Sequence, residues 1–238
     1  MTPVFPDASI QSLTLGSWWE SATGNLPERG RLIRTLVPYP DMKPLRLVVV
    51  GRGDNARQHQ RAEFRLEEFR VGDPAPDESA LPVAALPVRQ GESRIVRRGK
   101  VRPAVVLATA GAPVERDLRR GAASWQSNQT LLAAPYYGVE LDGRRAGWNP
   151  EFVRRIQCAE YSQYLWDVLP LRGAETGSIL RLDHVFPVGS DPSNWRLTEF
   201  KLSPAALEIV DEWLMWHLTG GLLEDSALAC ARAILAEL

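Results

Sequence analysis

A mainly β (α+β) fold with helices gathered at the C-terminal end is predicted, and three observations predict it. Runs such as LRLVVVG (45–51), PAVVLA (103–108) and TLLAAPYYG (130–138) are short, apolar and rich in β-branched or aromatic residues. Clusters of proline, glycine and acidic residues separate them. After Ser203-Pro204 the apolar spacing becomes that of a helix, with Leu207, Val210, Leu214 and Leu218 in one stripe.

The elements follow in order. Residues 1–28, with Trp18-Trp19, read as an irregular lead that caps a core edge. RGRLIRTLV (29–37) and residues 45–51 read as strands joined by a proline-bearing turn. Residues 61–71 place Phe64, Leu66 and Phe69 among charges, a pattern open to a strand or a short helix. Residues 72–87 are rich in proline and acids and read as an extended surface loop. In RRGKVRPAVVLAT (97–109) a basic loop runs into a buried strand, with Pro103 at the first strand position, where its missing N–H is tolerated. After the strand at 130–138, a polar connection leads to strands within 160–171 and 177–188. On the latter, Asp183 and His184 are expected on opposite faces. Ser203 as N-cap and Pro204 at the first helical position start one helix, Gly220-Gly221 stop it, and Leu228, Ala231, Leu235 and Leu238 mark a second.

Composition narrows the function classes. The chain has 238 residues, 45% hydrophobic and 24% charged, an ordinary globular balance. No run approaches the about eighteen apolar residues of a membrane span, and the N-terminus lacks the pattern of a signal peptide. A cytoplasmic protein without a membrane partner is therefore expected. The net charge of −1 excludes a uniformly basic surface. Cations cluster locally instead, at Arg94, Arg97, Arg98, Lys100 and Arg102 and again at Arg116, Arg119 and Arg120. Nearly all are arginine, whose planar fork suits phosphate or carboxylate. Cys158 and Cys230 lack the spacing of a metal site or a disulfide framework and are expected to be buried.

The order of RGRLIRTLV, a basic segment ending in RPAVVLA, TLLAAP, SILRLDHVFPV and LSPAALEIVDEWL resembles the PemK/MazF family of toxin ribonucleases. The resemblance implies a partly open small β-barrel that dimerises and cuts single-stranded RNA without a metal or other cofactor. It covers residues 29–37, 91–134 and 162–220 of one domain, 1–238. The surplus falls in insertions at 38–88 and 137–161 and in an extra C-terminal helix at 222–238. It also implies a partner, an antitoxin whose acidic tail folds over the basic groove.

Cleavage of this kind uses the ribose 2′-hydroxyl as nucleophile, so the protein supplies a base, an acid and positive charge for the phosphorane. By the resemblance Arg102 takes the charge-stabilising place and Glu92 loosely matches a loop glutamate. His184 suits proton transfer because an unperturbed imidazole titrates near neutrality. Arg97, Arg98 and Lys100 are expected to bind RNA phosphates, and Tyr136 to donate to a phosphate oxygen. Tyr137 and Trp125 are candidate stacking platforms. Trp213 and Trp216 are expected to pack in the core or an interface, and His59 and His217 to be structural or exposed. The competing reading is a catalytically degenerate module that binds RNA or an acidic protein partner.

Overall fold

The structure, a computed structural model, describes residues 4–40, 43–51, 62–77, 88–109, 111–122, 124–139, 147–172 and 177–237. Strands β1 to β11 cover Trp19–Ser21, Arg31–Pro38, Leu45–Gly51, Glu63–Glu68, Arg94–Val96, Gly99–Ala108, Thr130–Gly138, Tyr164–Asp167, Ser178–Arg181, Phe186–Gly189 and Trp195–Leu202. Helices α1 to α5 cover Ile10–Leu13, Ser124–Ser127, Pro150–Gln157, Pro204–Thr219 and Ala227–Ala236. The chain divides into two compact units where one domain was expected: Met1–Val37 with Val101–Leu238, and Pro38–Lys100. The inserted unit runs to Lys100 and does not stop at Val88, because β5 pairs with the inserted strand β3.

The larger unit is built on an antiparallel sheet in the order β1-β11-β2-β6-β7-β9-β8, with β10 alongside the first half of β7. The fold is mainly β as predicted, and the sheet is not a closed barrel. Side chains alternate across each strand, so the sheet has two faces. One carries the main core, where Leu32, Val105, Leu165 and Leu180 pack with Val210 and Trp213 of α4. The other carries two smaller clusters, one of Ile33, Ala104, Val106 and Ala133 with Val188, and one of Trp166 and Ile179 with Ile156 of α3.

The helices start and stop where their caps say. Ser203 accepts from the Ala206 N–H at 3.2 Å, Pro204 fills the first turn, and Gly220 ends α4 with φ at 76°. The buried face of α4 is Ala206, Ile209, Val210 and Trp213. Leu218, expected in the stripe, is 69% exposed, because the true stripe is centred one position away on Trp213. Ser226 caps the start of α5, and the Glu212 carboxylate of α4 accepts from the Leu228 N–H at 2.7 Å. Cys158 is half-buried and Cys230 exposed, which corrects the expectation that both are buried. No helix among the described residues is long and apolar enough to cross a membrane.

Two expected strands are reshaped. The apolar run at 177–188 divides into β9, a 3₁₀ turn at Leu182–His184, and β10. β9 pairs Leu180 with Tyr136 while β10 pairs Phe186 with Ala133, so the turn absorbs a three-residue slip in register along β7. The slip lies abreast of Pro135, which has no N–H to offer a ladder. At the other site, β6 starts at Gly99, so Lys100 and Arg102 lie on a strand and not in a loop. Its described pairing to β7 starts at Ala104, one residue after Pro103, so the missing N–H costs that ladder no rung.

The inserted unit is a three-stranded antiparallel sheet, β4-β3-β5. Residues 63–68 resolve the strand-or-helix ambiguity as a strand. The Glu67 carboxylate on β4 accepts from Arg46 at 2.9 Å and from Arg65 at 2.5 Å. These hydrogen bonds, Arg65 first, hold its carboxyl below the usual range. His59 and residues 78–87 lie outside the described residues.

Candidate nucleic-acid interface

Strand β7 carries two tyrosines just before its last residue, Gly138, and alternation sends them to opposite faces. Tyr136 points into the main core, where it is 2% exposed. Its hydroxyl donates to Asp167 Oδ2 at 3.0 Å, and the same carboxylate accepts from the indole N–H groups of Trp18 and Trp19, each at 3.2 Å. Burial pushes the Asp167 carboxyl up to about 7 despite these three donors. Burial, with Asp167 beside it, also pushes the Tyr136 phenol well above its ordinary value. Tyr136 therefore cannot meet a phosphate, which corrects its expected role.

Tyr137 takes the surface place, and three side chains converge on it. The Arg102 guanidinium lies 4.3 Å above the centre of the Tyr137 ring, and its Nε is buried without a hydrogen-bond partner. Arg181, on β9, stands 5.8 Å from the same ring and 4.9 Å from the ring of Tyr164. The His184 imidazole meets Tyr137 edge-on, with centroids 5.5 Å apart, and its Nδ1 is 2.9 Å from the Tyr137 hydroxyl. Arg102, Tyr137, Arg181 and His184 thus share one face of the larger unit.

The 3₁₀ turn explains how Asp183 and His184 serve one neighbour. On a strand they would diverge; on the turn both reach the guanidinium of Arg181. Asp183 accepts from Arg181 Nε at 2.7 Å and from its terminal nitrogen at 2.6 Å. That terminal nitrogen also lies 2.8 Å from His184 Nε2. A guanidinium only donates, so Nε2 must accept, and the neutral imidazole carries its proton on Nδ1 and donates it to Tyr137. Burial alone would raise the Asp183 carboxyl, but the hydrogen bond and charge of Arg181 outweigh it and hold it below its ordinary value. Desolvation likewise works against the Arg181 cation, and Asp183 more than restores it.

Four of the predicted residues, Glu92, Arg97, Arg98 and Lys100, belong to the inserted unit. Arg97, Arg98 and Lys100 are exposed there. The Glu92 carboxylate accepts from the Arg89 N–H at 2.8 Å, and the Glu92 N–H returns a bond to the Arg89 carbonyl at 2.9 Å. Glu92 therefore closes its own turn, and nothing in that contact suits it to act as a base. The Trp125 side chain lies outside the described residues, whereas Trp213 is fully buried and Trp216 packs against the core, as expected. His217 sits in the last turn of α4, its Nδ1 3.5 Å from the Ser162 hydroxyl.

Sequence reasoning missed Arg181 as a site residue. Its signal was the spacing Arg-Leu-Asp-His, in which a cation precedes an acid by two positions and a histidine by three. Among the described residues, no group of three or more His, Cys, Asp or Glu side chains is placed to hold a metal ion. No protein-family model matches the chain, and no curated protein matches it.

Proposed function

We propose that the chain binds single-stranded RNA at the Arg102–Tyr137–Arg181–His184 face and cleaves it as a metal-independent endoribonuclease of the PemK/MazF kind. The observation that carries this reading is the meeting of two guanidinium groups and an imidazole on one half-buried tyrosine. Two such cations suit an RNA phosphate, because the phosphorane gathers charge on its equatorial oxygens. Arg102 holds its guanidinium on the Tyr137 ring, and a guanidinium fork suits an incoming phosphate oxygen.

His184 is the base in this reading. In the resting geometry Arg181 donates to its Nε2 lone pair. A phosphate that draws the Arg181 fork toward itself uncovers that lone pair, and Nε2 then takes the 2′-hydroxyl proton as the 2′-oxygen bonds to phosphorus; the P–O5′ bond breaks, leaving a 2′,3′-cyclic phosphate, and the departing 5′-oxygen takes a proton from water. Tyr137 fixes the imidazole through Nδ1. Asp183 orients Arg181 by two bonds, and its lowered pKa makes it a poor competitor for the proton.

The competing reading, a module that binds without cutting, has one observation in its favour: both the Arg181 charge and the His184 lone pair are already satisfied within the protein. Incubation of mixed-sequence single-stranded RNA with the protein, in excess chelator, separates the two. Chelator-resistant cleavage that is lost in Arg102→Ala supports the ribonuclease. Salt-sensitive binding without cleavage supports the module, and absence of both refutes an RNA partner.

A further inference from the structure

The Tyr137 face does not end at Arg181. Beyond it Tyr164 carries the same guanidinium at 4.9 Å, Tyr161 meets Tyr164 with centroids 6.1 Å apart, and Arg155 of α3 caps Tyr161 at 5.2 Å. Guanidinium planes and rings therefore alternate from Arg102 through Tyr137, Arg181 and the Tyr164–Tyr161 pair to Arg155. Each ring of the series is half-buried. Tyr161 and Tyr164 pack against the small core of Ile156, Trp166 and Ile179, which fixes them while leaving part of each ring in solvent.

We propose that this series is a nucleobase-stacking track for single-stranded RNA, running on from the phosphate site. The inference rests on the RNA reading above and adds the part of the substrate that the distal end takes. Charge distinguishes the two ends. At the distal end Arg155 is paired with Glu160 at 2.6 Å, whereas at the other end the Arg102 Nε has no acceptor. The distal end thus presents planar π surfaces with its cation balanced, which suits bases better than phosphates. The connection between β7 and β8, an insertion relative to the family resemblance, supplies both Arg155 and Tyr161.

The test is fluorescence anisotropy with a short labelled 2′-O-methyl oligouridylate, which lacks the nucleophile and stays intact, and with an abasic oligomer of the same backbone. Tyr161→Ala is expected to weaken binding of the uridylate about five- to 150-fold, the range for loss of one stacked base. It should leave the abasic oligomer unaffected. Tyr161→Phe keeps the ring and should bind as the parent does, which separates stacking from a loss of fold; circular dichroism checks the alanine variant directly. Unchanged uridylate affinity in Tyr161→Ala overturns the track while leaving the RNA reading intact. Equal losses for both oligomers also overturn it, since the residue would then act on the backbone site. Failure of the parent to bind either oligomer at low salt refutes the RNA reading itself, and Tyr161-dependent binding of polyglutamate in its place would assign the track to an acidic peptide.

Discussion

Tyr136 and Tyr137 are neighbours on one strand with opposite lives. The first is sealed in the main core, where its hydroxyl serves Asp167 beside two tryptophans. The second lies half-buried on the other face among Arg102, Arg181 and His184. Both belong to polar networks on β7, yet they differ in what the partners leave undone. Around Tyr136 three neutral donors share a carboxylate that burial disfavours as an anion. Around Tyr137 cations outnumber the single carboxylate, and a guanidinium Nε has no acceptor. A network closed on itself in the core holds the fold; one left with surplus cations at the surface can receive an anion.

The largest expected effect breaks the comparison on its surface side. Arg102→Ala should lower the rate of RNA cleavage about 10²- to 10³-fold, the range for loss of one charge-stabilising donor. Its stability to urea should fall by only about 0.5–1 kcal/mol, the value of a partly exposed cation–π contact such as that with Tyr137; both are read on the same purified sample.

On the core side the effect is on stability and its pH dependence. The Asp167 carboxyl is raised from 3.8 to about 7, so the folded protein holds a proton that the unfolded chain releases in between. Its contribution is fully present below about pH 4 and is lost as pH rises through about 7. Asp167→Asn should flatten that part of the stability profile. It should also cost about 1–3 kcal/mol at low pH, because an amide cannot accept from all three donors. Urea titrations across this window read both, and a parent profile that rises with pH through this window would contradict the assignment.

A smaller pair of changes sharpens the contrast. Tyr136→Phe removes one buried donor and should cost about 1 kcal/mol of stability without altering RNA affinity. Asp183→Asn should do the reverse. With Arg181 freed to meet a phosphate, the slope of log affinity against log salt should steepen by about 0.7, the value for one further contact to a single strand.

Much of the fold was legible. The spans of β3 and β7 and the start of α4 follow from apolar runs and from Ser203-Pro204, whose local chemistry decides the structure without help from distant contacts. The site was legible only in part. Arg102 stands out by its place before an apolar run, but Ala-Pro-Tyr-Tyr does not say which tyrosine turns inward; that depends on Asp167, thirty positions further along. Arg181 was hidden because residues 177–188 read as one strand. Their break into β9, a turn and β10 is set by register against β7, a long-range pairing that no local pattern encodes. The division at Lys100 was invisible for the same reason, since it rests on β5 joining β3.

The most direct test of the account is the single-turnover cleavage of a single-stranded RNA, in chelator, by the parent and by Arg181→Ala with its fold checked by circular dichroism. The account predicts chelator-resistant cleavage by the parent and a rate about 10²- to 10³-fold lower in the variant. Cleavage by Arg181→Ala at the parental rate would show that the Tyr137 face is not where the reaction occurs.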